Sequence, residues 1–173
     1  MIKLLGLVGL AVAAVSIGCI SAANVKGRIE ELVYVKRLMK LFHGELRYKN
    51  VMLTDAFMAV AHKANGVYKD LFGELAVATE DNYSLPMARV FGDKVEEVLK
   101  GHTLLNKEDI RRLKELGETL GYQDQKMQLA NIELYIDRLT ESIEEDRKGL
   151  GNTVKMYRTL GVMGALMCVI VFM

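Results

Sequence analysis

Tryptophan is absent from this 173-residue chain, proline occurs once and cysteine twice. A single proline, Pro86, leaves long stretches able to run as unbroken helices. Both cysteines, Cys19 and Cys168, sit inside apolar runs, which excludes a disulfide framework and a thiolate nucleophile in a water-exposed, electropositive setting. Histidine is scarce too. His43, His62 and His102 fall in separate segments, without the clustering a zinc site needs. The apolar–polar alternation of strands is missing. Charge is scarce at both ends: beyond Lys3, Leu4–Val25 is 22 residues without a charge, and the closing "TLGVMGALMCVIVFM", Thr159 to Met173, is 15 with none.

What is present is segregated. The chain is 51% hydrophobic and 26% charged with a net charge of +1, and all 22 acidic residues lie between Glu30 and Asp146. Leu4–Val25 has about the length a bilayer-crossing helix needs. The closing 15 residues rise about 22 Å as a helix, a little under the ~30 Å hydrocarbon core, and a snorkelling Arg158 allows extension backwards. The sequence therefore predicts an N-terminal transmembrane helix over 1–25, a cytosolic helical bundle over 26–158 and a C-terminal membrane helix over 159–173. A cleaved signal peptide, with Ser21 and Ala23 before the cut, is the rival reading of the N-terminus, but the apolar run exceeds the usual 7–15-residue signal core. Basic residues flank the spans on the bundle side: Lys26, Arg28, Lys36, Arg37 and Lys40 after the first, Arg147, Lys148, Lys155 and Arg158 before the second. Positive charge stays cytoplasmic, so both termini point outward. Small residues repeat every four positions at Ala14, Gly18 and Ala22, and again at Gly161 and Ala165, a spacing that permits close helix packing in lipid.

Between the ends, apolar positions step by threes and fours. Val25, Ile29, Leu32, Val35, Met39, Phe42 and Leu46 continue the first segment as one long helix. Thr54 is expected to cap a helix carrying Phe57, Val60, Ala61 and Ala64; Gly66 punctuates, and Tyr68, Leu71, Phe72 and Leu75 form the next stripe. "EDNYSLP" reads as a loop, with Ser84 capping and Pro86 in a first helical turn. Val90, Phe91, Val95, Val98 and Leu99 follow, and Gly101 ends that helix. Asn106 is the expected N-cap of a helix with Ile110, Leu113, Leu116 and Leu120 on one face. The last helix starts near Asp124, carries Ile132, Ile136, Leu139 and Ile143, and runs into the terminal apolar segment, with Gly149 and Gly151 marking a bend. The fold class is all-α: an antiparallel bundle of about six helices, the first and last extending into the membrane.

Motifs of catalysis are absent from the sequence. "LGETLG" (Leu116–Gly121) has paired glycines but no following lysine, so it is not a phosphate loop. Gly121 fits a helix end; Gly117, inside a helix, points to close packing by a neighbour. "ESIEEDRK" (Glu141–Lys148) reads as a solvated helix face. Segments 26–40 and 147–158 hold nine basic and two acidic residues, a collar suited to anionic headgroups, while the rest of the middle is acidic, which suits a basic partner or solubility.

"LGETLGYQDQKMQLANIELYIDRL" (Leu116–Leu139), "ELRYKNVMLTDAF" (Glu45–Phe57), "LFGEL" (Leu71–Leu75) and the closing "YRTLGVMGALMCVIVFM" together resemble the stage III sporulation protein AB family over essentially the whole chain. The most specific element is Gly117, Glu118, Thr119, Leu120, Gly121, then Asp124 and Gln128. The resemblance implies a protein of endospore-forming bacteria, made in the mother cell, in the membrane facing the forespore. It implies membership of a channel-like assembly between the two cells. It further implies a six-helix cytosolic bundle similar to that of type II secretion and type IV pilus platform proteins. The implied partners are the membrane, other stage III sporulation proteins and a secretion-type ATPase, with no cofactor, metal, nucleic acid or small-molecule substrate. Gly117, Glu118, Gly121, Asp124 and Gln128 become candidates for partner binding, at a turn expected far from lipid; the plainer reading is that Glu118 and Asp124 cap and brace that turn. A non-catalytic scaffold is the favoured function. A small pore-forming, holin-like protein is the alternative, disfavoured by spans without intramembrane charge; a membrane-bound enzyme lacks any motif.

Overall fold

The structure, a computed structural model, describes residues 2–49, 51–81, 86–120 and 124–172, with side chains throughout 23–48 and 124–151 of the two longest helices and at scattered positions beyond. Six helices follow in order: α1 Ile2–Lys49, α2 Leu53–Lys63, α3 Val67–Asp81, α4 Met87–Leu99, α5 Lys107–Leu120 and α6 Gln125–Phe172. No strand occurs among the described residues. Among the described residues the expected all-α architecture with six helices is observed, and α6 stays helical through Gly149 and Gly151. Among the described residues no helix is long and apolar enough to cross a membrane. Much of 1–25 and 159–173 lies outside the described side chains, including the small-residue repeats, so the membrane expectation for those segments stands on the sequence.

Contacts divide the chain into two units, one of Met1–Glu30 with Ile143–Met173, the other Glu31–Ser142. In the first, Arg28 Nη1 meets Asp146 Oδ2 at 2.9 Å, joining α1 to α6, with Ile29 and Ile143 buried. Lys26 reaches Glu30 at 3.7 Å.

The second unit is an up-and-down bundle in which α2 packs on α3, α3 on α4 and α4 on α5. Short connections impose the antiparallel order. At one end Gly66 (φ 59°) and Gly101 (φ 75°) take left-handed backbone in the connections that follow α2 and α4, where a side chain would be strained. At the other end Gln125, opening α6, donates from Nε2 to the carbonyl of Leu46 near the end of α1, 3.1 Å away.

Two local expectations change. Thr54 does not cap α2. The cap position is Met52 (φ −66°, ψ 159°), whose carbonyl accepts the Ala56 N–H at 3.0 Å. Burial of Ala56, Phe57 and Val60 sets the helix phase, and Asp55 supplies the first-turn acid. Pro86 does not sit in the first turn of α4; it is the cap residue, and its carbonyl accepts the N–H groups of Arg89 and Val90. A cap position needs no N–H, so proline loses nothing there. Glu80 and Asp81 belong to α3, and Ser84 lies outside the described residues.

The core is aromatic at its centre. Phe42 of α1 stacks on Phe57 of α2, ring centroids 4.8 Å apart at 3°, and Phe57 meets Phe72 of α3 and Phe91 of α4, each at 6.2 Å. All four are essentially buried. Burying each phenylalanine contributes about 1.5–3 kcal/mol. Four helices are thereby tied at one ring, and Phe91 carries the contact on to α5.

Candidate functional site

Helix α5 begins where the sequence places it. The Asn106 Oδ1 accepts the Asp109 N–H at 2.8 Å and the Asp109 Oδ2 accepts the Asn106 N–H at 2.9 Å, a reciprocal capping box. Leu113, Leu116 and Leu120 turn inward. Gly117 lies on the flank facing α4, where Phe91 leaves no room for a side chain. The glycine's cost in helix propensity, about 1 kcal/mol, is offset by that approach.

The motif residues that follow divide by task. Asp124 caps α6: its Oδ1 accepts the Lys126 N–H at 3.0 Å and its carbonyl accepts the Gln128 N–H at 3.1 Å. Its side chain remains solvent-exposed. Gln128 donates from Nε2 to the Leu120 carbonyl at 2.9 Å, tying the end of α5 to the first turn of α6. Thr119 donates to the Leu116 carbonyl at 2.8 Å. Glu118 is exposed, two residues before the end of α5, and borders clefts on both sides of that helix, one of about 710 Å³ against α4 and one of about 340 Å³ against α6. Gly121 lies outside the described residues. Gly117 thus seats α5 against α4, Asp124 and Gln128 hold the start of α6, and Glu118 and Asp124 are the carboxylates left exposed.

The opposite end of this unit holds a cluster that local sequence does not announce. Glu31 of α1 accepts hydrogen bonds from the Tyr68 hydroxyl (2.7 Å), the Thr103 hydroxyl (2.6 Å) and the Leu104 N–H (2.7 Å). Burial, and then the hydrogen bond to Glu31, push the Tyr68 phenol above its usual range. Beside it the Tyr34 hydroxyl accepts the Asn65 N–H at 2.8 Å, and the Tyr34 and Tyr68 rings meet edge-on at 5.6 Å. One carboxylate thereby holds α1, α3 and the loop before α5 in place.

Surface charges along α4 and α5 are mostly paired. Arg111 and Arg112 hydrogen-bond the Glu108 carboxylate and hold it at about 2, well below the usual carboxylate range. Arg111 also contacts Glu115. Lys94 bridges Glu97 and Glu74, each at 2.9 Å, which raises its ammonium. Lys114 reaches across from α5 to Glu96 of α4 at 2.7 Å and lowers that carboxyl. Of the basic collar, Lys26, Arg147, Lys148 and Lys155 are exposed, whereas Arg28 is half-buried against Asp146. Arg158 lies on the helical backbone of α6, its side chain outside the described residues. Among the described residues no three His, Cys, Asp or Glu side chains gather as metal ligands would.

Comparison with known proteins bears on this arrangement over its whole length. The Stage III sporulation protein AB of Bacillus subtilis (strain 168) is 24% identical over 173 residues, all of this chain and all of that one. No solved structure matches the chain. The sequence model described as Stage III sporulation protein AB matches residues 3–173, and the chain belongs to that family.

Proposed function

We propose that this sporulation-family protein is a non-catalytic membrane scaffold in a secretion-like complex joining mother cell and forespore. Its charge-free ends lie in the mother-cell membrane and its six-helix unit in the cytosol, where the α5–α6 turn docks a secretion-type ATPase. The whole-length family match carries the sporulation role. Support for the scaffold comes from a polar middle between two segments without charge, with basic residues beside each. Support for the docking site comes from the residues that flank the turn: Gln128 ties the first turn of α6 to the end of α5, Asp124 caps α6, and Glu118 and Asp124 present carboxylates to solvent.

The test is affinity recovery from membranes of sporulating cells. Glu118→Lys reverses the outward charge, and Asp124→Asn removes the second charge while keeping a side-chain cap. The doubly substituted chain is expected to fold and melt as the parent does, to stay in the membrane fraction through alkaline extraction, and to lose the ATPase. Full recovery of the ATPase by the folded variant removes the turn as the docking site. Release of the parent chain by alkaline extraction removes the membrane assignment.

A further inference from the structure

The 710 Å³ cleft between α4 and α5 has the make-up of a helix-binding groove. Its floor is apolar: Val95 and Leu99 of α4 are buried, and Leu105 and Ile110 are half-exposed. Its side along α5 runs from Lys107 to Glu118, about 16 Å at 1.5 Å per residue, or three helical turns. The two ends carry opposite charge. Lys100 and Lys107 are exposed at one end, near the start of α5, and Glu118 is exposed at the other. None of the three has an ion-pair partner within 4 Å among the described residues, unlike Arg111 and Lys114 between them. A helix carries a positive N-terminus and a negative C-terminus, so this gradient selects one orientation for a bound helix.

We propose that the groove receives an amphipathic helix of the docking partner, about three turns long, with its N-terminus at Glu118 and an acidic last turn at Lys100 and Lys107. The inference rests on the docking reading above and adds the form of the ligand: apolar side chains at three- and four-residue spacing entering between α4 and α5. The Glu96–Lys114 pair crosses the groove as a strap. Both residues are solvent-accessible, and an exposed ion pair is weak, so an incoming helix opens it at small cost. The cleft between α5 and α6 offers less, because Arg112 and Arg138 line it and its apolar lining is Leu116 and Leu134 with the ring of Tyr135.

The full-length chain tests this in membranes of sporulating cells. A photoreactive p-benzoylphenylalanine replaces Arg111 on the groove rim, or Asp70 on α3 as a control, and the captured segment is identified by mass spectrometry. The expected capture, at Arg111 only, is a segment of the ATPase with that apolar spacing and carboxylates in its last turn; capture of a segment of any other protein overturns the proposal. Lys100→Glu with Lys107→Glu should cut the yield about tenfold, and changing the partner's carboxylates to lysine should restore it. Capture of a second copy of this chain, capture of a segment without the stripe, or a yield unmoved by the charge reversals overturns the proposal. Recovery of the ATPase with no capture at Arg111 overturns the groove and leaves the docking reading standing. If the unsubstituted chain recovers no ATPase, the docking reading falls and the groove proposal with it.

Discussion

Phe91 occupies the space that a side chain at Gly117 would need. A methyl group built on Gly117 would lie 2.5 Å from Cδ1 of Phe91 and 2.7 Å from its Cβ and Cγ. Phe91 cannot yield cheaply, because it is itself buried and packs against Phe57. The first glycine of the "GETLG" stretch is therefore the contact that lets α5 reach the aromatic core.

Gly117→Ala is accordingly expected to destabilise the protein, against the usual trend for glycine within a helix. Alanine gains about 1 kcal/mol in helix propensity, but overpacking of a filled core costs typically ~1–3 kcal/mol. A net loss of up to about 2 kcal/mol is expected at this position. Gly73 of α3 is the control, since nothing lies within 4 Å of its added methyl. Gly73→Ala should stabilise by about 0.5–1 kcal/mol. Denaturant unfolding of both full-length variants in detergent measures the contrast. Stabilisation by Gly117→Ala would mean that Phe91 gives way.

How much of this was legible follows from where each signal sits. The stripes of apolar residues depend on neighbours three and four positions apart, so six helices and their inward faces could be read directly. The Asn106 cap was legible for the same reason, its partner Asp109 being three residues on. Gly117 announced a close neighbour through its propensity cost, but not which one. Glu31 announced nothing: its partners Tyr68, Thr103 and Leu104 lie 37, 72 and 73 residues away, and only the antiparallel order brings them together. Arg28 looked like one more collar charge, because Asp146 is 118 residues distant. Thr54 misled because a hydroxyl near a helix start resembles a cap, while burial of Ala56 and Phe57 set the cap two residues earlier, at Met52.

Glu31 should behave as a joint rather than as three separate bonds. A hydrogen bond to a charged group contributes about 1.5–3 kcal/mol, so Glu31→Ala, which strands three donors, is expected to cost at least that much. Tyr68→Phe alone should cost about 1–2 kcal/mol, since Glu31 keeps two donors. In the Glu31→Ala background, Tyr68→Phe should cost little, giving a coupling energy of roughly 1–2 kcal/mol in a double-mutant cycle. Strict additivity of the two changes would show that the hydroxyl and carboxylate do not act on one another.

The pH response at the start of α5 follows from Glu108. Two guanidinium groups hold its carboxyl at about 2, below the 4.5 of an unpaired glutamate. A group with a depressed folded pKa contributes stability that is present above the unfolded value and lost as pH falls through the folded one. The window is therefore from about pH 4.5 down to about pH 2. The bonds that depress it, from Arg111 and Arg112, lie on an exposed surface, so 1 M salt should weaken the effect. Carboxyl-carbon NMR titration of the full-length chain in detergent should find Glu108 titrating near 2 in low salt. Its midpoint should move up toward 4.5 when Arg111→Gln and Arg112→Gln are combined, because the donors that favour the charged form are then gone. A Glu108 midpoint near 4.5 in the unsubstituted chain would mean that the two arginines spend their time on other partners.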